Sequence, residues 1–496
     1  MSSIRKQSFY SSLFIYAGFI IGAVNILWLF PNQRFFSTEE FGLSRLLLDV
    51  AILLSTACTL GSLNVTYKFF PFYQSYLPKD RNDLPLLTII LTSVGCLLLV
   101  LILPQMERFL LRKFGGRSPL FVDYFYLVYP FTISMAFFSL MEAYAWSLQR
   151  TILSNFLKEF LSRLLTTGLI VLLFLGVIES FRVFIHLYAI LFGLLALILF
   201  GFFRYKREFP LHWGLSSVSY RLWPRMLTFG IAFFFSAMLN ILARTNDTII
   251  IASQSKGGLV DTAVFVISTY LVTLMDVPQR SLISAATAQI SIAWKEKDVE
   301  KLGRLYRKTA LNLLIAGVGI LGLLLINAQN LVTFLGATYQ PVPMLLLVLG
   351  LARMIDLGTG LNAQILVLSK YWKIDLLTNI FFVIVSILLN YFLTIRIGVM
   401  GPAWGGLTAV ILFNALRFFF LWKLFRMQPF SLQNLKVLIY GMIAFFLIYN
   451  IPFMGNLYID VAVRSILFIA GYGSSILYFR VSPDINEAIT AIRRRL

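Results

Sequence analysis

The sequence predicts an all-α polytopic membrane protein with about fourteen transmembrane helices. Of its 496 residues, 59% are hydrophobic and only 13% are charged, and the mean hydropathy is +0.83. A soluble core does not need that much apolar surface. The apolar stretches lie almost end to end, which leaves no room for a large soluble domain. The chain is therefore interpreted as a multi-pass membrane protein.

Apolar windows of about twenty residues, the length that crosses a bilayer as a helix, give the individual spans. The first, Phe9 to Pro31, is too long for the apolar core of a signal peptide, so we interpret it as a retained helix. The fourteen candidate spans begin near Phe9, Gly42, Pro85, Leu120, Leu157, Val183, Pro224, Leu259, Tyr306, Pro341, Ile374, Pro402, Leu435 and Asp460.

The basic residues indicate the orientation of these spans. An even number of spans places both termini on one side of the membrane. With the termini inside, the inner connections carry roughly three times as many Lys and Arg residues as the outer ones, the bias typical of cytoplasmic loops. The basic residues are spread between the helices along the whole chain and form no single patch, so the net charge of +20 does not indicate a nucleic-acid partner. The one clear exception is MERFLLRKFGGRSP, which is predicted to be a basic external hairpin.

An internal repeat predicts the domain organisation. Asn25-Ile26-Leu27 recurs as Asn240-Ile241-Leu242, and Gly42-Leu43 recurs as Gly258-Leu259, at a shared offset of 215 or 216 residues. Both copies run in the same direction, which favours two pseudo-symmetric six-helix lobes related about the membrane normal; chance similarity between apolar sequences is the alternative. The predicted parts are an N-lobe of helices 1–6 (1–203), a cytoplasmic amphipathic linker (204–223), a C-lobe of helices 7–12 (224–425), and two last helices with a basic cytoplasmic tail (426–496).

Charged residues recur inside the spans at helical spacing. Inserting an ionisable side chain into the bilayer costs at least about 2.5 kcal/mol, so each one is expected to have a charge partner or a functional role. Acids and bases three or four residues apart share one helix face and can neutralise each other. These pairs are Arg45/Asp49, Glu159/Arg163, Arg244/Asp247, Asp276/Arg280, Arg353/Asp356 and Asp460/Arg464.

Most of these pairs are candidates for binding an anionic substrate in a hydrated cavity. The planar guanidinium suits phosphate or carboxylate, and the alternative is that the pairs only clamp helices together. No catalytic residue is predicted. His186 and His212 lack a ligand cluster, which gives no support for a metal site, and the sequence contains no Walker A motif for ATP. The predicted substrate-binding residues are Arg353, Asp356, Arg280, Asp276, Arg163, Arg244, Arg45 and Asp49.

Three stretches resemble the Wzx-type polysaccharide or oligosaccharide flippases of the multidrug/oligosaccharidyl-lipid/polysaccharide (MOP) superfamily. RFFSTEEFGLSRLLLDVAILLSTACTLGSLNVTYKFFPFY resembles their opening helices, with an acidic residue before Phe-Gly. TYLVTLMDVPQRSLISAATAQISIAWKEKDVEKLGRLYRKTA resembles the end of helix eight and the loop after it. DLGTGLNAQILVLSKYWKIDLLTNIFFVIVSILLNYFLTIRIGVMGPAWGGLTAVI resembles helices ten to twelve.

This resemblance implies the fold shared with the multidrug MATE transporters, alternating access, and no enzymatic activity. It also implies a substrate, an undecaprenyl-diphosphate-linked oligosaccharide carried across the bacterial inner membrane in polysaccharide, O-antigen or lipopolysaccharide biosynthesis. The expected partners are that lipid-linked glycan, the bilayer, and the polymerase and glycosyltransferases of the same pathway, with the chain itself a monomer. No resident cofactor is expected, and coupling to Na⁺ or H⁺ is left open, with Asp49 and Asp356 as candidate carboxylates.

Two other functions are compatible with the sequence. A multidrug or cation antiporter on the same scaffold would use a carboxylate in its first helix, but Phe9 to Pro31 contains no acidic residue. A membrane glycosyltransferase or glycan polymerase usually carries long external loops with catalytic acids, and the outer loops here are short.

Overall fold

The computed structural model describes residues 3–484, 486 and 487, which form helices joined by short turns without any strand. The predicted all-α fold class is therefore confirmed. The end of the basic tail, with Arg493, Arg494 and Arg495, lies outside the described residues. The helices are α1 (Ser3–Val24), α2 (Thr38–Cys58), α3 (Ser62–Tyr76), α4 (Leu84–Ile102), α5 (Glu107–Phe114), α6 (Pro119–Asp123), α7 (Val128–Ser147), α8 (Thr151–Asn155), α9 (Ser162–Phe174), α10 (Phe181–Tyr205), α11 (Ser217–Gln254), α12 (Gly258–Val272), α13 (Asp276–Glu296), α14 (Val299–Ile326), α15 (Ala328–Leu335), α16 (Val342–Gly358), α17 (Asn362–Val367), α18 (Trp372–Ile397), α19 (Met400–Phe425), α20 (Leu432–Tyr449) and α21 (Leu457–Tyr478).

Within the described residues, 12 helices are long and apolar enough to cross a membrane. They coincide with twelve of the fourteen predicted spans. The other two positions are also helical. The described apolar part of the first, Leu13–Leu29, is shorter than a full span. The fifth contains a π-helical turn, Phe156–Leu161, between α8 and α9, and carries charged residues that lower its hydropathy.

The apolar stretch from Val342 to Leu368 is broken and divides into α16 and α17. The span predicted near Gly42 forms one continuous helix, α2, and α3 follows it after a short turn. The break between α16 and α17 covers residues 359–361, and Gly360 adopts a positive φ of 63° there, a conformation that glycine reaches without a steric penalty. Broken helices at membrane depth need protein groups to satisfy the freed backbone, so polar side chains are expected to cluster at this break.

The helix after the predicted linker begins earlier than the sequence suggested. The structure places the start of α11 at Ser217, inside residues 204–223, because the Ser216 side chain accepts a hydrogen bond from Ser219 N and caps the helix. Residues 217–223 are therefore helical and continuous with α11, which runs on to Gln254.

A capping box starts α2 and explains the acidic residue of the opening motif. Ser37 Oγ accepts a hydrogen bond from Glu40 N at 3.2 Å, and Glu40 Oε2 accepts one from Ser37 N at 2.7 Å. Both backbone donors would otherwise lack a partner at the helix start. Glu40 is the acidic residue that precedes Phe41-Gly42 in this motif.

The chain divides into two compact units, one up to Ala263 and the other from Val264. In the first unit, α11 packs along α2 and α3, and α7 packs between α2 and α10. In the second unit, α18 and α19 form a close pair, and α14 packs against α16, α20 and α21. Each unit carries its own set of the predicted charged residues.

Candidate functional site

The second unit contains a group of four polar side chains from α13 and α16: Asp276, Gln279, Arg353 and Asp356, named here the Arg353 centre. Arg353 Nε lies 2.6 Å from Asp276 Oδ1, and Arg353 Nη1 lies 2.5 Å from Asp356 Oδ2. Arg353 Nη2 donates to the side-chain oxygen of Gln279. All three guanidinium nitrogens therefore contact an oxygen, and the planar group is held from three sides.

The charges of this centre are only partly covered by protein. The side chains of Asp276, Arg353 and Asp356 are 26%, 24% and 24% exposed. Arg280, which was predicted to pair with Asp276, lies 3.9 Å from that carboxylate and is 77% exposed, whereas Arg353 makes the closer contact. Arg353 and Arg280 together balance the charges of the two carboxylates, which lowers the cost of holding charges away from bulk water.

Amide and hydroxyl groups extend the centre towards the break between α16 and α17. Asn414 of α19 donates its side-chain amide to Asp356 Oδ1 at 3.4 Å. The Asn414 side-chain oxygen accepts from the Thr359 hydroxyl and from the Asn362 amide, each at 2.8 Å. The predicted polar cluster at the helix break is therefore present, and it fixes the Asp356 carboxylate from a second helix.

A buried ion pair, Arg417 and Asp375, lies next to this cluster. Arg417 donates to the Asp375 carboxylate and, at 3.5 Å, to the Asn362 side-chain oxygen, while its guanidinium stacks 3.9 Å from the Phe413 ring. Arg417 lies inside α19, which continues to Phe425, and its side chain is buried there.

The sequence prediction missed Gln279, Asn414, Asp375 and Arg417 as parts of this polar network. One local signal was available, since Asn414 and Arg417 are three residues apart and share a face of α19. Gln279 carried no such signal, because its contact to Arg353 depends on how α13 packs beside α16.

The first unit holds Arg45 and Asp49 of α2, but they do not pair as predicted. No ion pair joins them among the residues that the structure describes. Asp49 Oδ2 accepts a hydrogen bond from the Thr248 hydroxyl of α11 at 2.6 Å. The Arg45 guanidinium lies 4.8 Å from the centre of the Phe30 ring and 5.6 Å from that of Phe41, in cation–π geometry.

Arg163 lies at the start of α9, two residues after the π-helical turn of the fifth predicted span. Arg163 Nη2 forms the predicted ion pair with Glu159 at 2.9 Å, and its Nη1 is buried without a hydrogen-bond partner in the described part of the chain. The Asn25 amide donates to Arg163 O at 3.1 Å and accepts from the Thr167 hydroxyl at 2.7 Å. Asn25 itself begins a second π-helical turn, Asn25–Leu29. Such turns re-aim side chains and are frequent at functional sites.

Arg244, the last predicted site residue, lies on an exposed face of α11. The repeat partners Asn25 and Asn240 differ in surroundings, because Asn25 is buried whereas Asn240 is exposed and donates to Ser236 O within its own helix. The superposition of the two lobes stays a prediction.

Within the first unit, Gly42 of α2 lies in close contact with α12. A Cβ atom on Gly42 of α2 would lie 1.9 Å from the carbonyl oxygen of Leu259 in α12. Nearby, Arg117 Nη1 donates to Ser253 O at 3.1 Å and the Ser118 hydroxyl donates to Ala252 O at 2.7 Å, so the basic hairpin caps the carboxyl end of α11.

We expect Gly42→Ala to destabilise this arrangement by about 1–3 kcal/mol, because the added methyl group forces α2 away from α12. The measurement is the temperature at which the purified protein loses its monodisperse peak in detergent. Gly168→Ala is the matched control in the same unit, since nothing lies within 4 Å of a Cβ there. Helix propensity favours alanine at the control position. Equal stability changes in the two variants would contradict the packing role.

The structure contains no group of three or more His, Cys, Asp or Glu side chains suited to a metal, as far as the described residues extend. Cys58 and Cys96 are both buried free thiols. The polar groups that the geometry brings together are therefore guanidinium, carboxylate, amide and hydroxyl groups, which bind anions or small cations.

No protein-family model matches the chain, and its sequence matches no curated protein. Several solved structures share the fold, among them the following two. One is the lipid II flippase MurJ in an inward closed conformation, with a TM-score of 0.74 and 14% identity over 95% of this chain and 98% of that one. The other is the inward-facing conformation of a multidrug resistance MATE family transporter of the MOP superfamily, with a TM-score of 0.60 and 16% identity over 81% of this chain and 93% of that one. The MOP-like fold predicted from the sequence is confirmed.

Proposed function

We propose that the chain is a flippase that moves an undecaprenyl-diphosphate-linked oligosaccharide from the inner to the outer leaflet of the bacterial inner membrane. The observation that carries this proposal is the Arg353 centre. It is a guanidinium, 24% exposed, that is held between two carboxylates in a predominantly apolar chain. A guanidinium with its planar fork binds phosphate oxygens in pairs. The substrate is therefore an anion of the diphosphate class.

Substrate binding at this centre is an exchange of anions. In the empty site, the carboxylates of Asp276 and Asp356 both contact the Arg353 guanidinium. An arriving diphosphate offers more charge and bidentate oxygens, so it replaces one carboxylate at the guanidinium. The released Asp356 keeps its hydrogen bond from Asn414 and is not left bare. Because substrate binding and the loss of this contact are linked, the substrate favours the conformation in which the pair is open.

The fold supports this proposal. The MurJ structure, described as a lipid II flippase, matches almost the full length of the chain. The proposed setting is polysaccharide, O-antigen or lipopolysaccharide biosynthesis. There the chain acts as a monomer with cytoplasmic termini beside the glycosyltransferases and polymerase of the pathway. No enzymatic step is proposed. Na⁺ or H⁺ coupling is assigned to Asp49, whose only described hydrogen-bond donor is the neutral Thr248 hydroxyl.

A cation-coupled multidrug exporter is the second candidate function. The observation that favours it is the shared fold with a multidrug resistance transporter. Under this function, Asp49 would bind the coupling cation and the drug would be cationic. The number of arginines at the candidate sites favours an anion instead.

A flipping assay in proteoliposomes separates the two functions. Undecaprenyl diphosphate carrying a fluorescent N-acetylglucosamine is placed in both leaflets, and a membrane-impermeant quencher reports the fraction of headgroups outside. We expect the purified protein to exchange nearly the whole labelled pool, whereas protein-free vesicles expose about half of it. Ethidium transport by the same vesicles, without headgroup exchange, would contradict the flippase and favour the drug exporter.

A further inference from the structure

An aromatic and charged surface in the first unit is not used by the proposed diphosphate site. It consists of Tyr67 on α3, Glu142 and Trp146 on α7, and Lys158 in the π-helical turn after α8, and is named here the Tyr67–Trp146 surface. The two ring centres lie 5.9 Å apart with the ring planes inclined by 32°. Both rings remain open, with 40% of Tyr67 and 44% of Trp146 exposed.

A buried carboxylate lies on the same face of α7. Glu142 is almost fully buried, and its two oxygens accept from Lys158 Nζ at 3.1 and 2.9 Å. The Lys158 side chain is itself half exposed. One ammonium hydrogen bonds to each oxygen, so the carboxylate and the third ammonium hydrogen can still bind hydroxyl groups.

The orientation of Trp146 argues against a role as a lipid-interface anchor. An interfacial tryptophan directs its indole N–H to water or lipid headgroups. Here Trp146 Nε1 donates to the buried Ser154 hydroxyl at 3.0 Å. The protein fixes the N–H edge of the ring, while 44% of the residue stays exposed. The surface therefore presents two partly exposed aromatic rings beside a fixed carboxylate and an ammonium group.

These groups match the chemistry of a pyranose. The C–H groups on one face of a sugar ring are slightly positive and pack on the negative face of an aromatic ring. The hydroxyl groups at its edge donate to carboxylates and accept from ammonium groups. Binding sites for such ligands combine aromatic walls with a few fixed polar groups.

We propose that the Tyr67–Trp146 surface binds a sugar ring of the lipid-linked glycan. This inference rests on the proposed flippase function. The surface shares no residue with the Arg353 centre, so a sugar contact here adds to the diphosphate contact without using the same side chains.

The experiment compares two lipid probes on the full-length protein in nanodiscs. The probes are undecaprenyl diphosphate and the same lipid carrying N-acetylglucosamine, and their affinities are measured by microscale thermophoresis. We expect wild-type protein to bind the sugar-bearing lipid about five- to tenfold more tightly than the sugar-free one. Trp146→Leu and Tyr67→Leu should remove this preference while leaving the affinity for undecaprenyl diphosphate unchanged.

Two control variants test whether the ring faces matter. Tyr67→Phe keeps the aromatic face and should retain the preference. Trp422→Leu removes another exposed tryptophan, on α19, and should also retain it. Equal wild-type affinity for the two lipids would overturn the sugar-binding inference and leave the proposed function standing. A Trp146→Leu variant that keeps the preference, or that weakens both affinities equally, would have the same consequence. Failure of the wild-type protein to bind either lipid would count against the proposed function and, with it, against this inference.

Discussion

Arg353→Ala is expected to reduce the rate of flipping of the lipid-linked glycan by roughly thirtyfold or more. A loss of this size is typical when one partner of a desolvated charge pair is removed. Arg353 is the cation that both Asp276 and Asp356 contact. Its removal takes away the proposed diphosphate ligand and leaves two carboxylates that repel each other and the substrate. The measurement is the rate of headgroup exposure in proteoliposomes, divided by the amount of inserted protein.

Three further variants separate substrate binding from folding. Arg353→Lys should be intermediate, because an ammonium group keeps the charge but lacks the planar fork. Arg353→Ala combined with Asp356→Asn lowers the repulsion, so this protein should accumulate normally and still fail to flip. Arg304→Ala removes an exposed arginine from an ion pair on α14 and should have little effect. Full flipping by normally accumulated Arg353→Ala protein would show that the pair is only a clamp.

Arg464→Ala is expected to destabilise the protein by about 3–5 kcal/mol, the cost of leaving a buried charge without its partner. The side chains of Asp460 and Arg464 are 1% and 10% exposed, and Arg464 Nε lies 2.6 Å from Asp460 Oδ2. Arg464 also donates to Ile448 O at 3.2 Å and to Ile451 O at 2.6 Å, so it joins α21 to the end of α20. Thermal loss of the monodisperse peak and the protein level in the membrane are the measurements.

The matched control replaces both charges. Asp460→Leu combined with Arg464→Leu should recover much of the lost stability, because apolar residues can replace a buried ion pair at little net cost. Protein that folds should flip substrate at the wild-type rate in each case. Wild-type stability of Arg464→Ala would contradict the clamp, and normal stability with lost flipping would give the pair a role in transport.

The sequence by itself determined where the helices lie and which charged residues share a helix face. Inside a bilayer each backbone amide must bond within its own segment, so apolar length alone predicts the helices. Helical periodicity is equally local. The predicted pairs Glu159/Arg163, Arg353/Asp356 and Asp460/Arg464 all form ion pairs, because three or four residues correspond to one helical turn.

Contacts between helices were decided only by the tertiary structure. Asp276 lies closer to Arg353 than to Arg280. Asp49 accepts a hydrogen bond from Thr248 and forms no ion pair with Arg45 among the described residues. The rotation of one helix against another depends on how side chains of both helices pack, and no periodicity within one helix encodes it. Lipid adds no hydrophobic preference for one helix neighbour over another. The partners of each charge therefore follow from the packed fold, whereas its position along the helix follows from the sequence.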